Sequence, residues 1–376
     1  MRKRLMIMVF ICFIIGGSIY LFWKETVKKD FHASKVAPSV EAQVQGNTEK
    51  EKEPSIDYAS VAQKLDQYLQ EKGFNGTVLV ADKNHIVLNK GYGYADVQNK
   101  IENTPQTKYR TGSITKMTIS TSILQLQEKG KLNIQDNVNK YIPSFPMEKN
   151  ITLQQLLTHT SGLPSKGTGK VNAASRLDLV TWIGKQKVDF PPGTGWGYTD
   201  YNYMVLAYIV EKVSGQPIDK YIKEHIFVPA GMHETGMGNQ VPGDVNFSKG
   251  YKQKEQKLVL APKLAMNWLY GCGEMYTTAT DMKKLDEAIM SGKLFSSQSL
   301  QQMITPPSGR NYGFGFYVNP DYYHNHGVVA GWNTFNNFNW DHQIFVILFS
   351  NVQDAINDDF NKEFRKMVSD LLEKRG

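Results

Sequence analysis

Apolar residues recur with a helical period and then a strand period shortly after residue 56 of this 376-residue chain. The helical period covers about ten residues, and its apolar positions are Val61, Leu65, Tyr68 and Leu69. Two runs rich in β-branched residues follow at 76–81 and 85–88, and the polar triplet 82–84 separates them. This pattern predicts a helix followed by a β-hairpin.

The end of the chain shows similar periods, with three strand patterns followed by one helix pattern. The strand patterns cover 312–317, 328–338 and 343–349, and the helix pattern runs from about 355 to 372. Between residue 113 and about residue 300 the chain is mostly helical and rich in loops. The order of elements predicts an α+β fold, in which the two ends form one antiparallel sheet flanked by helices and carry an inserted, mainly helical lobe.

The first 56 residues predict a membrane anchor and a tether. Basic residues fill 1–4, an uncharged run covers 5–23, and 24–56 is polar with few apolar residues. The uncharged run is long enough to span a bilayer, and the basic end favours a cytoplasmic N-terminus. We therefore expect a single-pass membrane protein with an extracellular domain at 57–376. A cleaved signal peptide is the alternative, although no clear small-residue cleavage site precedes Lys24.

Charge and cysteine content exclude some classes of protein. Much of the net charge of +7 comes from the first thirty residues, which hold six Lys or Arg against one Glu and one Asp. The exported part has no basic run of the kind that binds nucleic acid, so no nucleic-acid partner is expected. It contains one cysteine, Cys272, which rules out an internal disulfide there and predicts a buried small apolar residue.

The candidate chemistry centres on Ser113 and Lys116. A three-residue spacing places both side chains on one face of a helix, so an amine can reach a hydroxyl. Gly112 suits a tight start of that helix, and apolar residues from Ile114 onward predict that the helix is buried. The pattern is that of a serine nucleophile with a lysine partner.

Five stretches occur in the order found in serine hydrolases of the class C β-lactamase and penicillin-binding type, which the chain resembles from residue 57 onward. They lie at 113–116, 156–164, 192–200, 271–282 and 313–316. The resemblance implies a β-lactamase/transpeptidase-like fold and an acyl-enzyme mechanism with Ser113 as nucleophile. It implies no metal and no organic cofactor.

The resemblance assigns Tyr198 to the family's Tyr-x-Asn motif, whose phenolic oxygen shares the serine proton with the lysine. A phenol serves as base only if positive charge stabilises the phenolate, and Lys116 would supply that charge. The third position of the motif is Asp200 instead of Asn. A carboxylate favours the charged form of Lys116 and so makes Tyr198 the better proton acceptor. The same variation is found in similar Gram-positive enzymes that remove D-alanine esters from teichoic acids.

The family's third motif, Lys/His-Thr/Ser/Gly-Gly, best matches His326-Gly327-Val328, which gives His326 and Gly327 as substrate-binding candidates. Val328 stands where the family has glycine, and the segment to Gly331 is one residue short. The alternative is that His326 is a surface histidine. The resemblance implies an oxyanion hole formed by the backbone N–H groups of Ser113 and Val329.

Other nucleophile and metal motifs are absent from the sequence. The stretch around His159 and Ser161 resembles a triad, but in the family it is a structural turn near the site. The sequence contains no Gly-x-Ser-x-Gly elbow, no zinc-protease motif and no phosphate-binding Gly-x-x-x-x-Gly-Lys loop.

Three functions fit this sequence. A D-alanyl ester of teichoic acid carries a free ammonium that Asp200 would attract, which favours a D-alanyl esterase acting on a cell-envelope polymer. A penicillin-binding DD-carboxypeptidase or β-lactamase-like enzyme acting on peptidoglycan stems is the nearer alternative. A non-catalytic cell-surface binding module is the alternative of another class.

Overall fold

The structure is a computed structural model that describes residues 56–165, 173–239, 243–255, 257–263, 265–339 and 341–372. The predicted basic end, the predicted anchor and nearly all of the predicted tether lie outside these residues. Across the described ranges, no helix is both long and apolar enough to cross a membrane.

Thirteen strands are found in the described ranges. They are β1 (Gly76–Asp82), β2 (His85–Tyr92), β3 (Tyr94–Asp96), β4 (Ile101–Glu102), β5 (Tyr109–Arg110), β6 (Gly236–Met237), β7 (Tyr251–Lys254), β8 (Lys257–Leu260), β9 (Met275–Thr277), β10 (Tyr317–Val318), β11 (Tyr323–Val329), β12 (Trp332–Phe338) and β13 (Ile344–Ser350). Six of them form one antiparallel sheet in the order β10-β11-β12-β13-β1-β2. The smaller sheets are β3-β4, β5-β9-β6 and β7-β8.

Ten α-helices are found in the same ranges. They are α1 (Tyr58–Glu71), α2 (Lys116–Glu128), α3 (Leu153–Leu157), α4 (Arg176–Lys185), α5 (Asp200–Ser214), α6 (Ile218–Ile222), α7 (Val228–Ala230), α8 (Ala279–Met290), α9 (Ser297–Ile304) and α10 (Asp358–Leu372). A 3-10 turn, Gly112–Thr115, leads into α2. This combination confirms the predicted α+β fold.

The large sheet is covered on both faces, which explains why its strands β1 and β13 are buried along their whole length. All seven residues of β1 are buried. Val78 and Val80 face the core formed with α1 and α10, while Leu79 and Ala81 face the core of the helical lobe. Alternate residues therefore serve two different cores, and no polar face is left.

The predicted helix near residue 60, the predicted hairpin and the predicted C-terminal helix correspond to α1, β1-β2 and α10. The prediction of one strand over 328–338 is wrong, because the chain turns at Gly331, whose φ of 96° lies in the left-handed region, and forms β11 and β12. The predicted strand 312–317 is wrong as well. Gly313 donates its N–H to the Phe316 carbonyl in a turn, and the strand β10 begins at Tyr317.

Helix α2 positions the candidate nucleophile. All its residues from Lys116 to Leu126 are buried, and Ser120 contacts the hydroxyl of Tyr203 on α5 at 3.3 Å. Because the helix is surrounded by other elements, it is buried on every side, as the sequence indicated, and its polar residues such as Thr118, Ser122 and Gln125 are buried with its apolar ones.

Candidate active site

Ser113 lies in the 3-10 turn that leads into α2, directly after a glycine with a left-handed backbone. Gly112 has a φ of 50°, and a Cβ atom at this position would lie 3.0 Å from the backbone nitrogen of Val328. Only glycine fits this conformation and this close approach without strain. The turn thus holds Ser113 against β11, the strand that borders it.

Lys116 is fully buried and donates to three acceptors. Its Nζ lies 3.0 Å from Ser113 Oγ, 2.7 Å from Asp200 Oδ1 and 3.0 Å from the Cys272 carbonyl oxygen. An ammonium group has three N–H donors, and each has a partner here. The geometry therefore describes a charged lysine that donates to the serine oxygen.

The charges around Lys116 favour this protonated form. Burial by itself lowers the pKa of the ammonium, but Tyr198, Asp200 and Cys272 and the hydrogen bond to Asp200 outweigh burial. The pKa of Lys116 consequently stands above its usual value. A lysine in this state stabilises negative charge next to Ser113 and is a poor proton acceptor.

Tyr198 faces the same ammonium from the loop before α5. The Lys116 Nζ lies 4.9 Å from the centroid of the Tyr198 ring. Tyr198 and Ser113 line one cavity of about 700 Å³. The structure thus brings Tyr198 next to Ser113 and Lys116, although Tyr198 comes much later in the sequence.

Asp200 is the first residue of α5. The Thr199 hydroxyl caps this helix by accepting from the Tyr201 N–H, and a carboxylate in the first turn interacts favourably with the helix dipole. About half of the Asp200 side chain (48%) is exposed although Oδ1 contacts Lys116. The carboxylate can therefore contact Lys116 and a molecule from solution at the same time.

His159 and Ser161 support the loop that carries Tyr198. The His159 ring packs on the Tyr198 ring with centroids 4.3 Å apart, and its Nδ1 accepts from the Thr199 N–H at 3.3 Å. The Ser161 hydroxyl donates to Asn202 Oδ1 at 2.6 Å. Burial holds the pKa of His159 well below its usual value, so the ring is neutral. These contacts agree with the interpretation of this stretch as a structural turn.

Gly327 is the point at which β11 meets the Ser113 turn. A Cβ at Gly327 would lie 1.8 Å from the Thr111 carbonyl oxygen and 3.0 Å from the Ser113 nitrogen. Thr334, its partner on β12, donates its hydroxyl to the Thr111 carbonyl at 3.2 Å. Gly327 therefore faces the Ser113 turn, and no larger residue fits there.

The face of β11 that carries Gly327 meets the Ser113 turn, and we call it the α2 face because that turn leads into α2. This contact fixes the positions of the other residues of β11. Because side chains alternate along a strand, Asn325 shares the face of Gly327, and His326 lies on the opposite face. The His326 ring stacks on Phe335 with centroids 4.0 Å apart, and its Nδ1 lies 3.8 Å from Asp358 Oδ1. His326 lines the cavity with Asp358 but is not among the groups that contact Lys116.

The same register moves the expected second oxyanion donor by one residue. Val328 is the residue whose backbone nitrogen approaches Gly112, and it lines the cavity with Ser113, whereas Val329 is buried on the α2 face. The geometry favours Val328 over Val329 as the donor, and Asn325 over His326 as the first residue of the third motif. When Gly327 is aligned with the final glycine of that motif, the segment to Gly331 is no longer one residue short.

The sequence analysis matched 271–282 to the family but gave the loop 271–274 no role in the site. Its Cys272 carbonyl accepts from Lys116, and the Glu274 carboxylate accepts the Gly271 N–H at 3.0 Å. Burial, opposed by the Gly271 N–H and Arg176, raises the pKa of Glu274 to about 7. Any residue type can supply a backbone carbonyl, so the sequence does not mark residue 272 as an acceptor. Only the glycines at 271 and 273 indicated that the backbone conformation there is unusual. The Cys272 side chain is buried, as expected.

In the described part of the chain, no group of three or more His, Cys, Asp or Glu side chains could hold a metal ion.

Comparisons with known proteins agree with this geometry. The profile of a family described as Beta-lactamase matches residues 61–367. The putative penicillin-binding protein PbpX of Bacillus subtilis is 42% identical over 345 residues, which cover 92% of this chain and 88% of that protein. The teichoic acid D-alanine hydrolase of Staphylococcus aureus is 31% identical over 355 residues, which cover 92% and 84%.

Solved structures give the same result. The crystal structure of FmtA from Staphylococcus aureus matches with a TM-score of 0.76 and 30% identity, over 87% of this chain and 93% of that chain. The penicillin-binding protein from Bacillus halodurans matches with a TM-score of 0.70 and 25% identity, over 81% and 98%.

Proposed function

Since the chain belongs to the Beta-lactamase family and is a serine hydrolase, we propose that it releases D-alanine from the D-alanyl esters of teichoic acids. One relative bears the name teichoic acid D-alanine hydrolase. The substrate class is a polymer of the cell envelope, and the reaction is ester hydrolysis through an acyl-enzyme.

In the proposed reaction, Ser113 Oγ attacks the carbonyl carbon of the ester while its proton passes to the phenolate form of Tyr198. The ester C–O bond then breaks, and Tyr198 returns the proton to the departing polyol oxygen. Water then attacks the acyl-enzyme and gives its proton to Tyr198; the bond between the acyl carbon and Ser113 Oγ breaks, Tyr198 returns the proton to Ser113 Oγ, and D-alanine leaves. Lys116 remains positive throughout, which agrees with its three hydrogen bonds. Its ammonium lies 4.9 Å from the centroid of the Tyr198 ring, and a positive charge at that position favours the phenolate.

The developing oxyanion needs two donors. We assign them to the backbone N–H groups of Ser113 and Val328, because Val328 is the β11 residue whose nitrogen approaches the Ser113 turn. Gly327 allows this approach because it has no side chain. Asn325 and His326 are the two residues of β11 that precede Gly327.

The observation that carries the proposal is the position of Asp200. Its carboxylate contacts Lys116 at 2.7 Å and is about half exposed. A D-alanyl ester has an ammonium group next to the scissile carbonyl, and a carboxylate beside Ser113 attracts it. A peptide stem ending in D-alanine, or a penicillin, presents a carboxylate instead, which Asp200 repels.

The test is D-alanine release by the full-length chain from D-alanylated teichoic acid and from a D-Ala-D-Ala peptide in parallel. Ser113→Ala is the control, and it should lower release about a thousandfold or more. We expect release from the ester and little from the peptide. Release from the peptide alone would contradict the esterase, and release from neither would favour the binding module.

A DD-carboxypeptidase is the second candidate, and it is favoured by the relative named as a putative penicillin-binding protein, which has the higher identity. Covalent labelling of Ser113 by a fluorescent penicillin would support it. Such labelling should be absent from the Ser113→Ala variant.

We also propose that residues 5–23 anchor the protein in the membrane, with 57–376 outside the cell, because the substrate polymer lies there. Protease treatment of intact cells that express the full chain should digest the catalytic domain. Protection of that domain would contradict this orientation.

A further inference from the structure

The hairpin formed by β7 and β8 is a two-stranded sheet separate from the large one. Its root is firmly held. Tyr251 is buried, its N–H donates to the Asn351 carbonyl at 2.8 Å, and its hydroxyl accepts the Val97 N–H at 2.9 Å. Beyond this root, residues 253–255 and 257–260 are exposed. The hairpin therefore projects from the body of the protein.

The register of the hairpin gathers its lysines on one face. Lys252 lies opposite Val259 and Lys254 lies opposite Lys257, so these side chains share a face. Tyr251 and its partner Leu260 belong to the other face, which meets the body of the protein at the root. We call the outer face, with Lys252, Lys254 and Lys257, the lysine face.

Within the described ranges, no acidic side chain forms an ion pair with the lysine face. Lys249, just before the hairpin, pairs with Asp96 at 2.8 Å, but no ion pair in the described residues includes any of the three lysines. Glu255, in the turn, is the only acidic residue between Tyr251 and Leu260. Like charges directly opposite each other, such as Lys254 and Lys257, destabilise a hairpin unless an anion lies between them.

The hairpin begins next to the strand that borders Ser113. Gly250 packs against Gly331, where a Cβ would lie 2.5 Å from the Gly250 backbone, and the Tyr251 N–H also donates to the Gly331 carbonyl at 3.2 Å. Gly331 follows β11, which contains Val328. A polymer bound along the hairpin would thus lie beside the end of β11 that borders the cavity.

We propose that the lysine face binds the phosphodiester backbone of the polymer whose D-alanyl esters reach Ser113. This inference rests on the proposed function. Lys252 and Lys254 are about 7 Å apart along the strand, so each ammonium can meet a separate phosphate of a polyol phosphate chain. Anionic lipid is the other possible partner, but Val259 is the only exposed apolar side chain on the lysine face of the described hairpin, and Leu258 and Leu260 are on the opposite face.

The test compares the triple variant K252Q/K254Q/K257Q with the matched triple variant K64Q/K131Q/K293Q, which removes the same charge at exposed lysines elsewhere. Both are made in the full-length chain with Ser113→Ala, and binding to poly(glycerol phosphate) without D-alanine is measured. We expect about tenfold weaker binding for the hairpin variant, little change for the matched variant, and a smaller difference at high salt.

Equal weakening by both triple variants would overturn the proposal, because only net charge would then matter. A loss of binding to phosphatidylglycerol vesicles with unchanged binding to the polymer would assign the face to lipid and also overturn it. The variant K252R/K254R/K257R should bind like the parent, and weak binding by it would contradict a role for charge.

Catalysis gives a second measurement. With Ser113 intact, the hairpin variant should show about a tenfold higher KM for the D-alanylated polymer and an unchanged kcat/KM for D-alanyl glycerol, a small ester without phosphate. Binding needs no turnover, so a protein that binds the polymer but releases no D-alanine would refute the proposed function and keep the lysine face. If the hairpin variant releases D-alanine with an unchanged KM, the proposed function would stand and the role of the lysine face would be refuted.

Discussion

The cavity around Ser113 has two walls that are stabilised in different ways. The helical wall consists of the Ser113 turn, α2 and the start of α5, and the strand wall consists of β11. On the helical wall, Lys116 is fully buried and each of its three donors has an acceptor. On the strand wall, β11 is near the edge of the large sheet, and β10 pairs with it only at Tyr323 and His324. The rest of that edge is open to a substrate.

The two walls have different roles in the proposed reaction. The helical wall fixes charges, and a fixed ammonium stabilises an anion without reorganisation during the reaction. The strand wall provides backbone groups and space, since Gly327 has no side chain and Val328 is 45% exposed. We therefore expect substitutions on the helical wall to act through charge and those on the strand wall to act through shape.

Lys116→Met should have the largest effect, a fall in kcat/KM for D-alanyl ester of about a thousandfold or more. Asp200 is half exposed and can turn to water, so the variant should fold. Lys129→Met, at an exposed position after the same helix, is the control. Retention of a tenth of the activity would show that the ammonium is dispensable.

Gly327→Val should lower the free energy of unfolding by about 3 kcal/mol and abolish turnover, because its Cβ collides with the Thr111 carbonyl. Val328→Ala, at the next residue, should change stability by no more than about 0.5 kcal/mol. Chemical denaturation measures both. A stable, active Gly327→Val enzyme would mean that β11 does not lie against the Ser113 turn.

Glu274→Gln tests the loop beneath Lys116 through pH. Burial raises the pKa of Glu274 to about 7, above its ordinary value of 4.5. A raised pKa stabilises the fold at low pH, and that contribution is lost as pH rises from 4.5 through 7. Glutamine does not titrate, so the variant should gain up to about 3 kcal/mol relative to the parent between pH 4.5 and pH 8.

The unfolding free energy of the variant must be compared with that of the parent at each pH, because His324 changes stability with pH in the opposite direction to Glu274. Burial lowers its pKa to about 4, so its contribution to stability is lost as pH falls from 6.5 through 4. His324 titrates equally in both proteins and cancels in the difference. A difference in unfolding free energy that stays constant with pH would contradict the assignment to Glu274.

His326→Gln should have the smallest effect, within about twofold in kcat/KM, because its ring stacks on Phe335 on the face away from α2. Asn325→Ala, on the α2 face, should cost about 1–3 kcal/mol of stability, since its amide donates to the Gly315 carbonyl. A tenfold loss of activity in the His326 variant would restore histidine to the substrate site.

The helical wall could be predicted from the sequence because its main signal is local. Ser113 and Lys116 are three residues apart, and helix geometry alone places them together. Asp200 comes two residues after Tyr198, at the start of α5, so a short motif was sufficient to find both. The α+β fold could also be predicted, since apolar periods at both ends of the chain were clear.

The strand wall could not be predicted in the same way. Which residue of β11 faces α2 depends on pairing with β12 and on the contact of Gly327 with Thr111, and a shift by one residue reverses every side chain. The sequence therefore favoured His326 and Val329 where the structure favours Asn325 and Val328. The β7-β8 hairpin escaped detection because its exposed residues have no apolar period.

The most direct measurement is the ratio of kcat/KM for a D-alanyl ester to kcat/KM for a D-Ala-D-Ala peptide, in the parent and in Asp200→Asn. If the Asp200 carboxylate selects the substrate ammonium, the ratio should fall about tenfold in the variant, because the attraction is lost and the peptide carboxylate is no longer repelled. An equal loss on both substrates would contradict the account and leave Asp200 only as a support for Lys116.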